Sequence, residues 1–145
     1  AEYALHRLHE VLQSATGKTA RERLQKILYQ LVTDRETQKL DAVLSAQISP
    51  HFVVGGLRTC MEQDAPVIAA LIQEGLQDGS LKTAQPALCS EVFLMLLNYW
   101  ANPVLFGRTL SETEERLNYL KFVMCQLGLD ILDEDFIDAF KKYFA

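Results

Sequence analysis

The chain has 145 residues, of which 49% are hydrophobic and 23% charged, and its formal net charge is −5. This size predicts one domain over residues 1–145, and the acidic balance argues against nucleic-acid binding by this chain alone. No apolar run is longer than that of Val92–Leu97, which is too short to span a bilayer. The opening AEYALHRLHE is charged and helix-patterned, unlike a signal peptide. We therefore expect a cytoplasmic protein with no membrane partner, whose chain begins inside a longer protein.

Helical patterns follow one another along the chain, and no segment alternates with the period of a strand. A first helix is predicted from the start to Ser14. A second begins behind the capping box Thr19–Glu22, and a third behind the similar signature Thr33–Glu36. Ser49 and Pro50 predict the start of a fourth, with serine as N-cap and proline at the first helical position.

The fourth predicted helix reaches Asp78. Pro66 either kinks it or restarts it behind Asp64. Gly79 fits a left-handed C-terminal cap. After a short polar turn, Pro86 opens the next helix.

Two helices are predicted in the last third of the chain. One begins with the capping box Ser111–Glu114 and ends at Gly128. Its predicted inner stripe consists of Leu117, Leu120, Met124 and Leu127. The other runs from Asp133 to about Phe144. The sequence thus predicts an all-α, antiparallel bundle of about seven or eight helices.

The stretch from Ala87 to Asn102, ALCSEVFLMLLNYWAN, is predicted to be one helix that is apolar around far more than one side. Its apolar residues cover roughly 240° of the helical wheel. A surface helix usually carries a stripe nearer about 100° wide. Such a helix needs cover on two sides, one given by its own domain and the other by a partner chain or a ligand.

Motifs of catalysis and metal binding are missing from the sequence. It contains no phosphate-cradling glycine loop, no GxSxG elbow and no common zinc signature. We therefore expect no catalytic residue, no metal and no cofactor. A small helical enzyme, the least favoured alternative, would have to use a histidine, and the candidates are His6, His9 and His51. The cysteines predict buried free thiols rather than disulfides and are Cys60, Cys89 and Cys125.

The run LIQEGLQDGSLKTAQPALCSEVFLMLLNYWANPVLFG resembles the C-terminal regulatory domain of tetracycline-repressor (TetR) family transcriptional regulators. A helix ends in the phrase formed by Glu74, Gly75 and Gly79, a short polar turn follows, and a long helix comes next. The start of the following helix, Ser111–Glu114, also fits that family. The order and lengths of the predicted helices extend the resemblance over essentially the whole chain.

The resemblance implies a ligand-sensing, homodimeric domain of a bacterial regulator. It binds a small, mainly hydrophobic or aromatic effector, and DNA is contacted only through an N-terminal helix-turn-helix domain that is absent from this chain. By analogy, the ligand-binding residues are Leu8, Leu28, Phe52, Leu57, Met61, Phe93, Leu97 and Trp100. The expected dimer interface consists of Glu91, Leu94, Asn98, Tyr119, Phe122 and Gln126.

The division of the apolar arc of Ala87–Asn102 between ligand and partner stays open at this point, since the two sets of residues could be partly exchanged. The resemblance also leaves repression and activation as alternatives. A stand-alone all-α module that binds a hydrophobic ligand or acts as a scaffold is the second reading of the whole chain.

Overall fold

The computed structural model describes residues 8, 10–13, 15–34 and 49–145, and every regular element within these residues is a helix. The seven α-helices are α1 Ala20–Thr33, α2 Pro50–Thr59, α3 Ala65–Asp78, α4 Pro86–Met95, α5 Pro103–Phe106, α6 Leu110–Gln126 and α7 Glu134–Tyr143. Two π-helical turns, Cys60–Asp64 and Leu96–Trp100, extend α2 and α4. The all-α prediction is confirmed for these residues. The predicted third helix and most of the first lie outside them.

Side-chain caps explain where three of these helices begin. Thr19, Ser49 and Asp133 each accept a hydrogen bond from the backbone N–H three residues further on. Each bond satisfies one of the N–H groups that the first turn of a helix leaves without a partner. The predicted starts of α1, α2 and α7 are therefore confirmed.

Helix α6 begins earlier than predicted, because a different threonine caps it. The Thr109 hydroxyl accepts from the Glu112 N–H at 3.1 Å, and the Glu112 carboxylate accepts from the Thr109 N–H at 3.2 Å. This reciprocal pair is a capping box, so the predicted box at Ser111–Glu114 is wrong. The observed start also turns Thr113 into the core, where its hydroxyl donates to the Thr109 carbonyl at 2.8 Å.

The helical run from Pro50 to Asp78 is continuous, and a π-helical turn accommodates its internal proline. Pro66 lacks a backbone N–H, and its ring would clash with the carbonyl one turn earlier in a regular helix. The wider turn Cys60–Asp64 stands immediately before it, and the Ala65 N–H bonds back to the Cys60 carbonyl. The Asp64 side chain makes no capping bond. The alternative that Pro66 restarts the helix behind an Asp64 cap is therefore wrong.

One hydrophobic core joins α1, α3, α4, α6 and α7, and most of the predicted inner positions belong to it. Its largest fully buried side chains include Leu24, Ile27, Ile72, Phe93, Leu117, Leu120, Met124, Phe136 and Ile137. Two predictions fail. Leu127 is 45% exposed because α6 ends at Gln126, and Cys125 lies on the solvent side of the last turn of α6. No helix among the described residues is long and apolar enough to cross a membrane.

The last residue of α3 and the turn that follows it cap the start of α1. The Asp78 carboxylate accepts from the Ala20 N–H at 2.8 Å, and the Ser80 hydroxyl accepts from the Arg21 N–H at 3.2 Å. Hydrogen bonds from Ser80 and from the Ala20 N–H lower the pKa of Asp78. The first turn of α1 thus finds two of its hydrogen-bond partners on a segment more than fifty residues away.

The same turn packs closely against the end of α6. The Lys82 N–H donates to the Gly128 carbonyl at 3.0 Å. Gly128 has a φ of 83°, and a Cβ there would lie 2.7 Å from the backbone of Lys82 and Thr83. A side chain is excluded by conformation and by space, so glycine is required. Gly79, with a φ of 78°, ends α3 in open space, as predicted.

Comparing alanine at these two glycines will separate backbone strain from close approach. Gly79→Ala should cost only the left-handed conformation, about 1–2 kcal/mol. Gly128→Ala should cost that amount plus an overpacking penalty of about 1–3 kcal/mol, because the Lys82 backbone must move. Urea unfolding of the two variants measures the difference. Equal loss of stability in both would contradict the close approach.

Candidate functional site

The broad apolar arc of α4 is split between the core and the surface. Phe93 is fully buried, and Leu97 lies beside it in the core. Leu88, on the opposite side of the helix, is 57% exposed. Val92 and Met95 follow Leu88 at intervals of four and three residues and are also exposed, so the three form one stripe. The helix therefore keeps an apolar side that its own domain does not cover.

Helix α6 carries an exposed aromatic pair next to the end of α4. Tyr119 and Phe122 are 59% and 57% exposed, and their ring centroids lie 6.2 Å apart. Trp100, in the π-helical turn after α4, contacts Tyr119 edge-to-face at 6.4 Å. We call these three residues the aromatic row. Exposed apolar groups on neighbouring elements are typical of interaction surfaces.

The expected dimer residues fall into three classes. Asn98, Tyr119, Phe122 and Gln126 are exposed. Glu91 is half-buried, whereas Leu94 belongs to the core of the single chain and has little surface left for a partner. Sequence reasoning missed the stripe Leu88, Val92 and Met95. The sequence does contain the pattern that predicts this stripe, because Leu88 lies opposite Phe93 and Leu97 on the helical wheel.

The expected ligand-binding residues are largely part of the core. Four of them are buried there, namely Leu8, Leu28, Phe93 and Leu97. Met61 and Trp100 are partly buried against the same cluster, Leu57 is half-buried, and Phe52 is exposed at the start of α2. The structure thus brings six of the eight to one core cluster.

An open cleft of about 820 Å³ lies between the chain that leads into α1 and the outer side of α3. Its apolar lining residues are Leu12, Ala15, Pro66, Val67, Ala70 and Leu71. Arg23 and Glu74 stand on its wall and form an ion pair at 2.8 Å. The volume is within the range of small-molecule sites. None of the expected ligand-binding residues lines this cleft. The cleft joins segments that are some fifty residues apart, and helical periodicity does not show that such segments are neighbours.

The two π-helical turns contact each other through polar groups. The Asn98 amide donates to the Cys60 thiol at 3.6 Å. A Cβ on Gly56 would lie 2.9 Å from the Tyr99 hydroxyl. Burial raises the pKa of Cys60 to about 11, opposed by the Asn98 bond, and raises the pKa of Tyr99 to about 12. Both groups are therefore protonated and uncharged at neutral pH.

The described residues contain no cluster of three or more histidine, cysteine, aspartate or glutamate side chains that could hold a metal ion. His51 lies exposed in the first turn of α2. His6 and His9 lie outside the described residues.

Comparison with family models, with curated proteins and with solved structures finds no match to this chain. Any functional assignment must therefore rest on the residues, surfaces and cleft described above.

A thiol reagent should distinguish the three cysteines of the native protein. Cys125 is exposed and should react first, whereas Cys60 and Cys89 are buried. Only the thiolate reacts, and because the pKa is raised for Cys60 and for Cys125 alike, exposure is what should make Cys125 react first. We expect one fast phase, absent in Cys125→Ser, when labelling is followed by mass spectrometry. A fast phase that persists in this variant would show that a buried thiol is accessible.

Proposed function

We propose that this chain is the ligand-sensing and homodimerisation domain of a TetR-like bacterial transcriptional regulator. The observation that carries the proposal is the uncovered apolar surface of α4 and α6. It includes the stripe Leu88, Val92 and Met95, and Tyr119 and Phe122 of the aromatic row. The phrase formed by Glu74, Gly75 and Gly79 and the apolar helix α4 after the polar turn, both quoted above for the TetR resemblance, point to the same function.

A second copy of the chain is the partner in this proposal. Two helices from each copy would pack as a four-helix bundle around a twofold axis, so that the same surface is used twice. The Trp100–Tyr119 contact supports this arrangement, because it holds the end of α4 beside α6 within one chain. Both helices could then meet the partner together.

The cleft supports a role in ligand sensing. Its floor is apolar, and among its lining residues only Arg23 and Glu74 are charged, in a mutual ion pair. A small hydrophobic or aromatic effector fits that lining. We propose that it binds without catalysis, metal or cofactor.

The position of the cleft also supplies a route for regulation. One wall is formed by residues on the chain that leads into α1, namely Leu12, Gln13, Ala15, Thr16 and Gly17. In the proposed function the predicted first helix leads to the DNA-binding domain. A ligand that prefers one position of this helix shifts the population of DNA-binding states, with a coupling of about 1–3 kcal/mol.

A stand-alone helical module that binds a hydrophobic ligand is the alternative, and the cleft by itself fits it equally well. The coding sequence upstream of Ala1 distinguishes the two. A basic three-helix segment with a helix-turn-helix supports the regulator.

A negative charge introduced into the aromatic row tests the dimer. The unchanged protein should sediment as a dimer at micromolar concentration, and Phe122→Glu should shift it towards monomer, because the new carboxylate would be desolvated at the interface. Val54→Glu, at a comparably exposed apolar position of α2, is the matched control and should remain dimeric. A monomeric unchanged protein would contradict the proposal.

Filling the cleft tests the ligand site. The neutral apolar dye Nile red should bind the unchanged protein with a rise in fluorescence. Ala70→Trp should block binding, since residue 70 lines the cleft, whereas Gln73→Trp on an exposed position of the same helix should not. Equal dye binding by both variants would show that the cleft is not the site.

A further inference from the structure

The cleft beside α3 has an apolar end and a polar end. Its lining residues on that helix are Pro66, Val67, Ala70, Leu71 and Glu74, and their spacing places them on one face. At the helical rise per residue this row is about 12 Å long. Pro66 and Val67 form its apolar end, and Glu74 forms the other end.

Arg23 stands at the polar end, on the opposite wall of the cleft. Its Nη1 donates to Oε2 of Glu74 at 2.8 Å, and the two side chains are 31% and 53% exposed. Gly17 belongs to the same end, because a Cβ there would lie 3.2 Å from the Arg23 side chain. The charged groups of the lining are therefore confined to one end of the cleft, where their charges cancel.

The apolar part of the lining is aliphatic. Among the described residues, no aromatic side chain lines the cleft. An aromatic ligand would therefore find no ring to contact there. The row along α3 instead favours an extended chain, which buries its methylene groups against the aliphatic side chains.

We propose that the cleft binds an aliphatic alcohol whose chain lies along α3 and whose hydroxyl contacts the Arg23–Glu74 pair. This inference rests on the ligand-sensing part of the proposed function and names the chemical class of its effector. A hydroxyl donates one hydrogen bond and also accepts. It can therefore donate to the Glu74 carboxylate and accept from an N–H of Arg23 while the two side chains stay paired. Their mutual hydrogen bond uses Nη1 and Oε2, so the other guanidinium N–H groups and Oε1 are the atoms that would meet the hydroxyl.

The ion pair disfavours a charged head group of either sign. A carboxylate attracted to Arg23 would lie close to the carboxylate of Glu74, and an ammonium attracted to Glu74 would lie close to the guanidinium. Either ion would lose part of its hydration on entering the cleft. The cancelling charges of the pair would not compensate this loss. The neutral head group thus follows from the ion pair, and the aliphatic chain follows from the lining.

Isothermal titration calorimetry with probes of equal chain length tests this class. 1-Octanol, which in extended form is comparable in length to the row along α3, should bind more tightly than octanoate and more tightly than octylamine. 1-Butanol has a shorter chain to bury and should bind about tenfold or more weakly than 1-octanol. Octanoate or octylamine binding as tightly as 1-octanol would overturn the proposal, and so would the absence of 1-octanol binding.

Removing one charge of the pair should change the preferred head group. Glu74→Gln leaves Arg23 without a carboxylate, so octanoate should bind about threefold or more tightly than to the unchanged protein at low ionic strength. Arg23→Gln should strengthen octylamine binding in the same way. The matched control is Asp130→Asn, which removes the 3.2 Å ion pair of Arg21 outside the cleft lining and should alter neither affinity. An equal gain of octanoate affinity in Glu74→Gln and Asp130→Asn would overturn the assignment of the head group.

Folding and location of the ligand need their own controls. Urea unfolding should show that Glu74→Gln and Arg23→Gln are folded, because a partly exposed ion pair contributes little to stability. Ala70→Trp should abolish 1-octanol binding, whereas Gln73→Trp, at an exposed position outside the lining, should not. Equal 1-octanol binding by these two tryptophan variants would overturn the placement of the chain along α3.

The results separate this inference from the proposed function. If Ala70→Trp blocks Nile red binding but 1-octanol does not bind, the alcohol is wrong and the cleft remains the ligand site. If 1-octanol binds in the cleft of a protein that stays monomeric, the alcohol is supported and the dimeric regulator is contradicted.

Discussion

The turn Asp78–Thr83 is the constraint on which the arrangement of the helices depends. Its side chains cap the first turn of α1, and its backbone bonds to the end of α6 at Gly128. Leu81 is buried directly over Gly75, where a Cβ would lie 2.5 Å from the leucine side chain. Three helices are thereby tied to one short segment. Buried backbone N–H and C=O groups need hydrogen-bond partners. A movement of this turn would therefore break several backbone hydrogen bonds at once.

The direction in which α4 leaves that turn decides how its apolar residues are used. Phe93 and Leu97 enter the core, so Leu88 and its stripe must face outwards. The end of α4 then reaches α6, where Trp100 contacts Tyr119. The orientation of α4 thus buries one side of an unusually apolar helix and leaves its other side exposed to solvent. The cost of exposing such a surface to water is the physical argument for a partner.

The proposed function assigns the small molecule and the partner chain to different places on the molecule. The cleft beside α3 is apolar, and its charged residues neutralise each other. The aromatic row lies elsewhere, at the end of α4 and on α6. A ligand in the cleft and a second copy of the chain would therefore not compete for the same residues, which allows each part of the proposed function to be tested with the other intact.

The sequence by itself determined what depends on residues within about one helical turn of each other. The caps at Thr19, Ser49 and Asp133 and the left-handed end at Gly79 are such features. The start of α6 was predicted at the wrong residues, Ser111–Glu114, and burial of Thr113 accompanies the Thr109 cap that the structure uses. The cleft and the division of α4 into a buried and an exposed face were decided only by tertiary structure. Each of them joins residues from different helices or loops, and helical periodicity carries no information about which of these segments become neighbours.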